Sequence, residues 1–311
     1  MDRIDQRRNN YIILGENFYL DNKKEKAIQF FNKALEFNGI ISDDVITLFN
    51  IAIIYDELEK PIDSFNTYKR ILKLDPKNPG AYYGMAIMKE KSNDADKALE
   101  YYFKAIELDP TYDRAYYFAA NLYDLKGDKD KAIELYKQVI ELDPEDYHAY
   151  NNLGSLYEEL GDYHKAYKML EKSIDLEPHF YKSLFNMGVV YKRFGNNKKA
   201  LEYYYKSLEQ NKEYHFTYLN ISAIYIEDKE YNESIRILSQ GISNNAEAED
   251  LYYNRACCYS IMGNEESAIS DIIKAIDLDY SVVNWVRKDN DFKKLYNNKK
   301  FLQIIEQTDK E

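Results

Sequence analysis

Residues 147–180 read YHAYNNLGSLYEELGDYHKAYKMLEKSIDLEPHF, and the chain repeats this pattern along most of its length. The proline that nearly closes the stretch, Pro178, follows Pro76, Pro110 and Pro144 at steps of 34 residues. The runs LKLDP, IELDP, IELDP and IDLEP lead into the four prolines. A fixed period of this size predicts stacked units, each unable to bury its apolar face alone, in place of one globular core. Setting the register on the prolines gives blocks 45–78, 79–112, 113–146 and 147–180. The same step continues through 181–214, 215–248 and 249–282, and a block at 8–41 fits once Ser42-Asp43-Asp44 is set aside as an insertion.

The columns of this register carry the packing. One holds only small residues: Gly15, Ala52, Ala86, Ala120, Gly154, Gly188, Ser222 and Ala256. Three positions later stands an aromatic in every unit except the third, which has Lys89. A second small column runs from Ala27 and Ser64 to Ser234 and Ala268, and a bulky residue follows it by four, as in Phe31, Tyr68, Tyr102, Tyr136, Leu170 and Tyr204. Residues three or four apart share one helix face. Each unit therefore predicts two helices that approach closely at their small residues. Gly127, Gly161, Gly195 and Gly263 fit helix C-termini, where a left-handed residue is needed. The following Asp128, Asp162, Asn196 and Asn264 fit the next N-cap. Proline is missing at Lys212, Ala246 and Tyr280 and an apolar residue at Arg255, so the last units are expected to be less regular.

These residues resemble the tetratricopeptide repeat family, whose 34-residue signature has a tryptophan-like residue, Leu-Gly, Tyr, then Ala, a bulky residue and Pro. The best copy is Tyr150, Leu153, Gly154, Tyr157, Ala166, Leu170 and Pro178. The resemblance covers residues 8–282 as eight units. It implies an all-α, right-handed superhelical solenoid of antiparallel helix pairs, with a lead-in at 1–7 and capping helices at 283–311. In that tail Val282, Val283, Val286, Phe292, Leu295, Phe301, Ile304 and Ile305 are the expected cover, and Trp285 is expected to pack on the last repeat.

Composition narrows the function. The net charge of -12 leaves no basic footprint for nucleic acid or for an anionic membrane. No stretch approaches the roughly 18 apolar residues of a membrane span. The only cysteines, Cys257 and Cys258, are adjacent and fit buried thiols in a reducing cytoplasm. Richness in Lys, Asn, Ile and Tyr is what an AT-rich, bacterial genome would give. The histidines, His148, His164, His179 and His215, have no partners at metal-ligand spacing, and no phosphate loop or dinucleotide fingerprint occurs. No catalytic residue, cofactor or metal is therefore expected.

The resemblance implies that the first helix of each pair lines a concave groove for a peptide or protein segment. On those helices Asn152, Asn186, Asn220 and Asn254 recur at the repeat step, with Asn50 upstream. Asparagine forms helix poorly, so the column wants a reason. An amide can pair with a peptide C=O and N–H at once, and such a ladder resembles the one lining the superhelix of O-linked N-acetylglucosamine transferase. The alternative is a residue common at this position that bonds to neighbouring helices. Tyr83, Tyr117, Phe185 and Tyr253, one residue earlier in their units, would add apolar area. A carboxylate clamp of the family's kind is matched only by Asn121, Asn152 and Lys182, because Tyr117 and Asn186 stand where two cations belong. Lys182, Lys192, Arg193, Lys198 and Lys199 form a basic band beside Glu158 and Glu159, as ordinary surface charge or as a contact for an acidic ligand residue. The expected function is a non-catalytic binding scaffold. The alternative is a specificity or regulatory subunit whose catalytic chain, for example of glycosyltransferase type, is separate.

Overall fold

The computed structural model describes residues 3–37 and 39–307, and among them there is no strand. The helices come in pairs joined by short turns. They are α1 (Arg3–Leu20) with α2 (Lys24–Leu35), α3 (Ile41–Glu57) with α4 (Pro61–Leu74), α5 (Pro79–Lys91) with α6 (Ala95–Leu108), and α7 (Asp113–Leu125) with α8 (Lys129–Leu142). Next come α9 (Tyr147–Glu159) with α10 (Tyr163–Leu176), α11 (Tyr181–Arg193) with α12 (Asn197–Gln210), α13 (His215–Glu227) with α14 (Tyr231–Asn244), and α15 (Glu249–Ile261) with α16 (Glu265–Leu278). The chain ends in α17 (Val282–Lys288), a 3₁₀ helix (Asn290–Asn297) and α18 (Lys299–Gln307). Helix α1 starts inside the expected lead-in, and residues 308–311 of the expected cap lie outside the described residues. The chain divides into two compact units, Met1–Ala149 and Tyr150–Glu311. No described helix is long and apolar enough to cross a membrane.

Within each pair the two small columns meet. Ser64 Oγ donates to the Ala52 carbonyl at 2.8 Å, and a Cβ built on Gly154 would lie 3.4 Å from the Ala166 carbonyl oxygen. Backbones this close leave room for nothing larger than Gly, Ala or Ser between them. The bulky column then fills the space beside the contact. A Cβ on Gly188 would stand 2.5 Å from the Tyr204 ring, and one on Gly15 would stand 2.7 Å from Phe31. Phe31, Tyr102, Tyr136 and Tyr204 are fully buried. The tyrosine hydroxyls among them still find acceptors: Tyr102 donates to Glu90, Tyr136 to Asn121 and Tyr204 to Asn220.

Turns and caps follow local chemistry. Asp128, Asp162, Asn196 and Asn264 accept the backbone N–H three residues on, as N-caps do. Gly127, Gly161, Gly195 and Gly263 sit at φ of 81°, 78°, 73° and 82°. In the other pairs the same left-handed position is taken by Asn22, Glu59, Asn93 and Lys229, with φ of 56–60°. The turn is thus imposed by the helix pairing even where the residue opposes it. The last units are regular despite their missing prolines, which corrects the sequence-based expectation. Asn211, Asn245 and Asp279 take the same extended turn conformation as Asp75, Asp109 and Asp143, and each closes the helix with a backbone bond four residues back.

The tail covers the end of the second unit. Val282, Val283, Val286, Phe292, Leu295, Phe301 and Ile305 are buried in one cluster with Ala268, Ile269, Ile272 and Ala275, and Ile304 packs against it. Trp285 is 44% exposed and meets the Tyr253 ring edge-on at 5.7 Å. The charged departure Arg255 is also accounted for. Its guanidinium holds Asp271 through Nε and Nη2 at 2.7 and 2.8 Å and donates to Ser239, with 18% and 9% of the two side chains exposed. In the first unit the Ser42-Asp43-Asp44 insertion supplies Asp43 and Asp44 to Arg8, which is 4% exposed.

Three stability measurements check this packing. Gly188→Ala improves helix propensity by up to about 1 kcal/mol but drives a methyl into a buried ring, so a net loss of about 1–2 kcal/mol is expected in urea unfolding. A gain would remove the ring-on-glycine contact. Lys229→Gly relieves a left-handed lysine and should stabilise by about 0.5–1 kcal/mol; no gain would mean the turn is not strained. Asp271→Leu strands the Arg255 guanidinium and should cost about 3 kcal/mol, most of it recovered in Arg255→Met/Asp271→Leu. Equal losses in the single and double variants would show that the charges are independent.

Candidate peptide-binding surface

The asparagine column lies on α9, α11, α13 and α15, the first helices of their pairs, all within the second unit. Its hub is a residue absent from the sequence-based set. Asn151 is 4% exposed, donates to Asn152 Oδ1 at 3.0 Å, and accepts from Asn186 Nδ2 at 3.0 Å and Ser183 Oγ at 3.1 Å. Ser183 in turn lies 2.6 Å from Ser173 Oγ. Asn151 stands where other units carry Tyr83, Tyr117, Phe185 and Tyr253. An amide in an aromatic column, with serines in neighbouring buried columns, is the signal by which the sequence could have disclosed it. Buried polar groups persist when they satisfy one another.

The remaining members are bonded along the helices. Asn220 accepts from Tyr204 Oη at 3.3 Å and donates to the Phe216 carbonyl at 2.9 Å. Asn254 donates to the Asp250 carbonyl at 2.8 Å. Asn186 and Asn254 each keep an amide oxygen with no partner among the described residues, and one further N–H. Each amide of the column is therefore held by at least one internal bond, and Asn186 and Asn254 keep pairing capacity open.

The aromatic members have differing surroundings. Phe185 packs against Tyr204 at 5.6 Å and edge-on to Tyr214 at 5.1 Å. In the first unit Tyr117 meets Tyr136 edge-on at 5.8 Å, and Asn121 accepts the Tyr136 hydroxyl. Tyr253 is taken up by the tail: its hydroxyl donates to Asp289 at 2.6 Å, and Trp285 and Phe292 flank its ring. Burial and the Asp289 carboxylate push its phenol pKa upward. Tyr253 therefore offers less free surface than the sequence suggests.

Charge is partly neutralised. Lys182 is exposed. Arg193 pairs with Glu158 at 2.8 Å and Lys192 with Glu227 at 2.7 Å, so two of the five cations of the basic band are in ordinary surface ion pairs, and Lys199 donates to the Tyr191 hydroxyl. Asn121 belongs to the first unit and Asn152 and Lys182 to the second. Lys182 is the one cation of this clamp-like set, too little to hold a terminal carboxylate pair.

Cys257 and Cys258 are free, and burial pushes both thiols up, away from the reactive thiolate. One trio of metal-ligand types occurs among the described residues, Cys257, Asp289 and Asp291. Asp289 spends one oxygen on the Tyr253 hydroxyl and the other on the Asp291 N–H, so it serves to fasten the tail. Burial raises the Asp250 carboxyl pKa while His215 beside it, at 3.4 Å, opposes the rise. That pair joins α13 to α15.

Comparison with known proteins agrees with this architecture. Family models described as tetratricopeptide repeat match residues 79–112, 147–213 and 249–281, and one described as TPR repeat matches 120–161. Among the curated proteins no relative matches. A tetratricopeptide repeat protein from Parabacteroides merdae is similar in structure with a TM-score of 0.62 at 15% identity, over 85% of this chain and 98% of that one. The pilF protein of Pseudomonas aeruginosa gives 0.59 at 18% identity, over 72% and 99%. A chain of the APC/C hetero-tetramer Cut9-Hcn1 gives 0.59 at 18% identity, over 86% and 52%. These likenesses speak to the fold. Together with the repeat matches and the helix pairs, they make this chain a member of the tetratricopeptide repeat proteins.

Proposed function

We propose that the chain is a non-catalytic scaffold that binds a peptide or protein segment on the first helices of its pairs. Asn152, Asn186, Asn220 and Asn254 are the amides that pair with the segment's backbone. The observation that carries this reading is the partly satisfied column: each amide is anchored by an internal bond, and Asn186 and Asn254 retain an open acceptor and donor. Anchoring before binding lowers the ordering cost that otherwise offsets each hydrogen bond. Phe185 supplies apolar area beside the column. A segment in polyproline-like form advances ~3.1 Å per residue, so about three residues span one helix-pair step of ~10 Å. The surplus negative charge disfavours nucleic acid as a partner, and the two unpaired thiols fit a reducing cytoplasm.

The test uses peptides selected on the protein from a displayed random library. Changing Asn152, Asn186, Asn220 and Asn254 together to Ala should weaken their binding by roughly 0.5–1.5 kcal/mol per bond lost, with helicity by circular dichroism unchanged. Affinity that survives all four substitutions would remove the column from the binding surface.

A further inference from the structure

A cavity of the first unit lies apart from the asparagine column. It holds about 580 Å³ and opens beside α5, α7 and the turn that leads into α9. Three rings form its apolar wall. Tyr83 and Phe118 lie 5.9 Å apart at 62°, and Tyr117 and Phe118 lie 5.5 Å apart at 79°. Rings packed edge to face turn their faces in different directions, and a ring face open to the cavity is a surface on which a cation can rest.

The rest of the lining is mainly acidic, with Tyr147 and His148 at the start of α9 completing it. Asp113, Asp143, Glu145 and Asp146 face the cavity against one guanidinium, Arg114, which leaves a formal charge of -3. None of these five groups takes part in an ion pair among the described residues. Elsewhere the chain pairs its carboxylates freely, as in Asp56 with Lys91 and Asp96 with Lys126. Asp143 and Asp146 each spend one oxygen on a backbone N–H of their own turn, from Glu145 at 3.0 Å and Ala149 at 2.9 Å. That fixes their positions and leaves the second oxygen of each open. The chain's own chemistry shows what such a place accepts: Lys131, Lys165 and Lys199 each lie over a tyrosine ring at 4.8, 5.2 and 4.9 Å.

We propose that this cavity takes a cationic side chain, lysine or arginine, of the bound segment, seated between the Tyr83, Tyr117 and Phe118 rings with its charge toward Asp113, Glu145 and the turn carboxylates. The partner is then a basic segment, opposite in charge to the acidic tails a carboxylate clamp would hold. This rests on the peptide-binding reading for the ligand being a polypeptide, while the cation preference stands on the cavity alone. The unbalanced charge also speeds encounter with a basic partner, an effect that salt weakens.

The experiment titrates the full chain with capped nonapeptides of Gly and Ser carrying three Lys, three Arg, three Gln or three Glu, and with the single residue Nα-acetyl-lysine amide. Binding is followed by calorimetry and by shifts of the Tyr83 and Tyr117 ring signals. The basic peptides should bind at least about tenfold more tightly than the Gln peptide, and high salt should reduce that advantage. Asp113→Asn/Glu145→Gln removes one half-buried and one exposed charge without touching the core and should lower basic-peptide affinity about tenfold. Tyr117→Leu should lower it further with helicity retained, because it keeps apolar area and removes a ring face. Equal binding of Lys and Gln peptides, or full affinity in the charge variant, would overturn the proposal while leaving peptide binding intact. Ring shifts with acetyl-lysine amide, lost in the charge variant, would uphold the cation cavity even if no peptide bound, and the peptide-binding reading alone would then fall.

Discussion

Helix pairs in this chain are held at the spacing set by a missing side chain. Where the two small columns meet, Ser64 reaches the Ala52 carbonyl, and a Cβ on Gly154 would touch the Ala166 carbonyl oxygen and press into Leu170 at 2.7 Å. The ring or leucine four residues beyond the second small position closes the space beside that contact, as Tyr204 does over Gly188 and Leu170 over Gly154. Dispersion and burial act only at this distance, so the contact sets both the angle of the pair and the area it removes from water. Repetition of one solution is enough to build the whole fold, because each pair needs only its neighbours.

A thin stack of this kind cannot hide polar groups behind layers of apolar ones, so it pairs them. The Ser173, Ser183, Asn151 and Asn186 chain replaces an aromatic contact with hydrogen bonds. Arg255 with Asp271, and Arg8 with Asp43 and Asp44, do the same with charge. Leaving any member unpaired would cost more than the pair contributes, which makes these groups demanding neighbours and fixes their geometry. The proposed peptide surface uses that rigidity. Its amides are already oriented by partners inside the chain, so a ligand would not have to order them.

The two units differ in what their first helices present. In the second unit the row is amide-rich, and Arg193 and Lys192 beside it meet Glu158 and Glu227. In the first unit the equivalent positions are Asn50, Gly84 and Phe118, with Tyr83 and Tyr117 one residue before the last two, and the turn at 143–146 adds carboxylates with no ion-pair partner among the described residues. On the proposed reading, one repeat design offers backbone-reading chemistry in one place and side-chain-reading chemistry in another. The tail holds Tyr253 through Asp289 and the edge of Trp285, so this last aromatic of the column is engaged within the chain.

The 34-residue step, the small and bulky columns and the cap residues determined the all-α pairing, because helix periodicity and capping are local and depend on residues three or four apart. They also disclosed the asparagine column and the tail's buried residues. What only the packed structure decided is which groups share a bond or a cavity. Asn151 became the hub of a polar chain because Ser183 and Asn186 come to it from the next helix, a neighbour that sequence spacing does not name. Glu59 and Lys229 became left-handed because the pair must turn there, against their own preference. Asp113 and Glu145, 32 positions apart, were gathered against three rings by the stacking of successive first helices. Local chemistry selects the helix; the distance between backbones, set by the small residues, selects its neighbours.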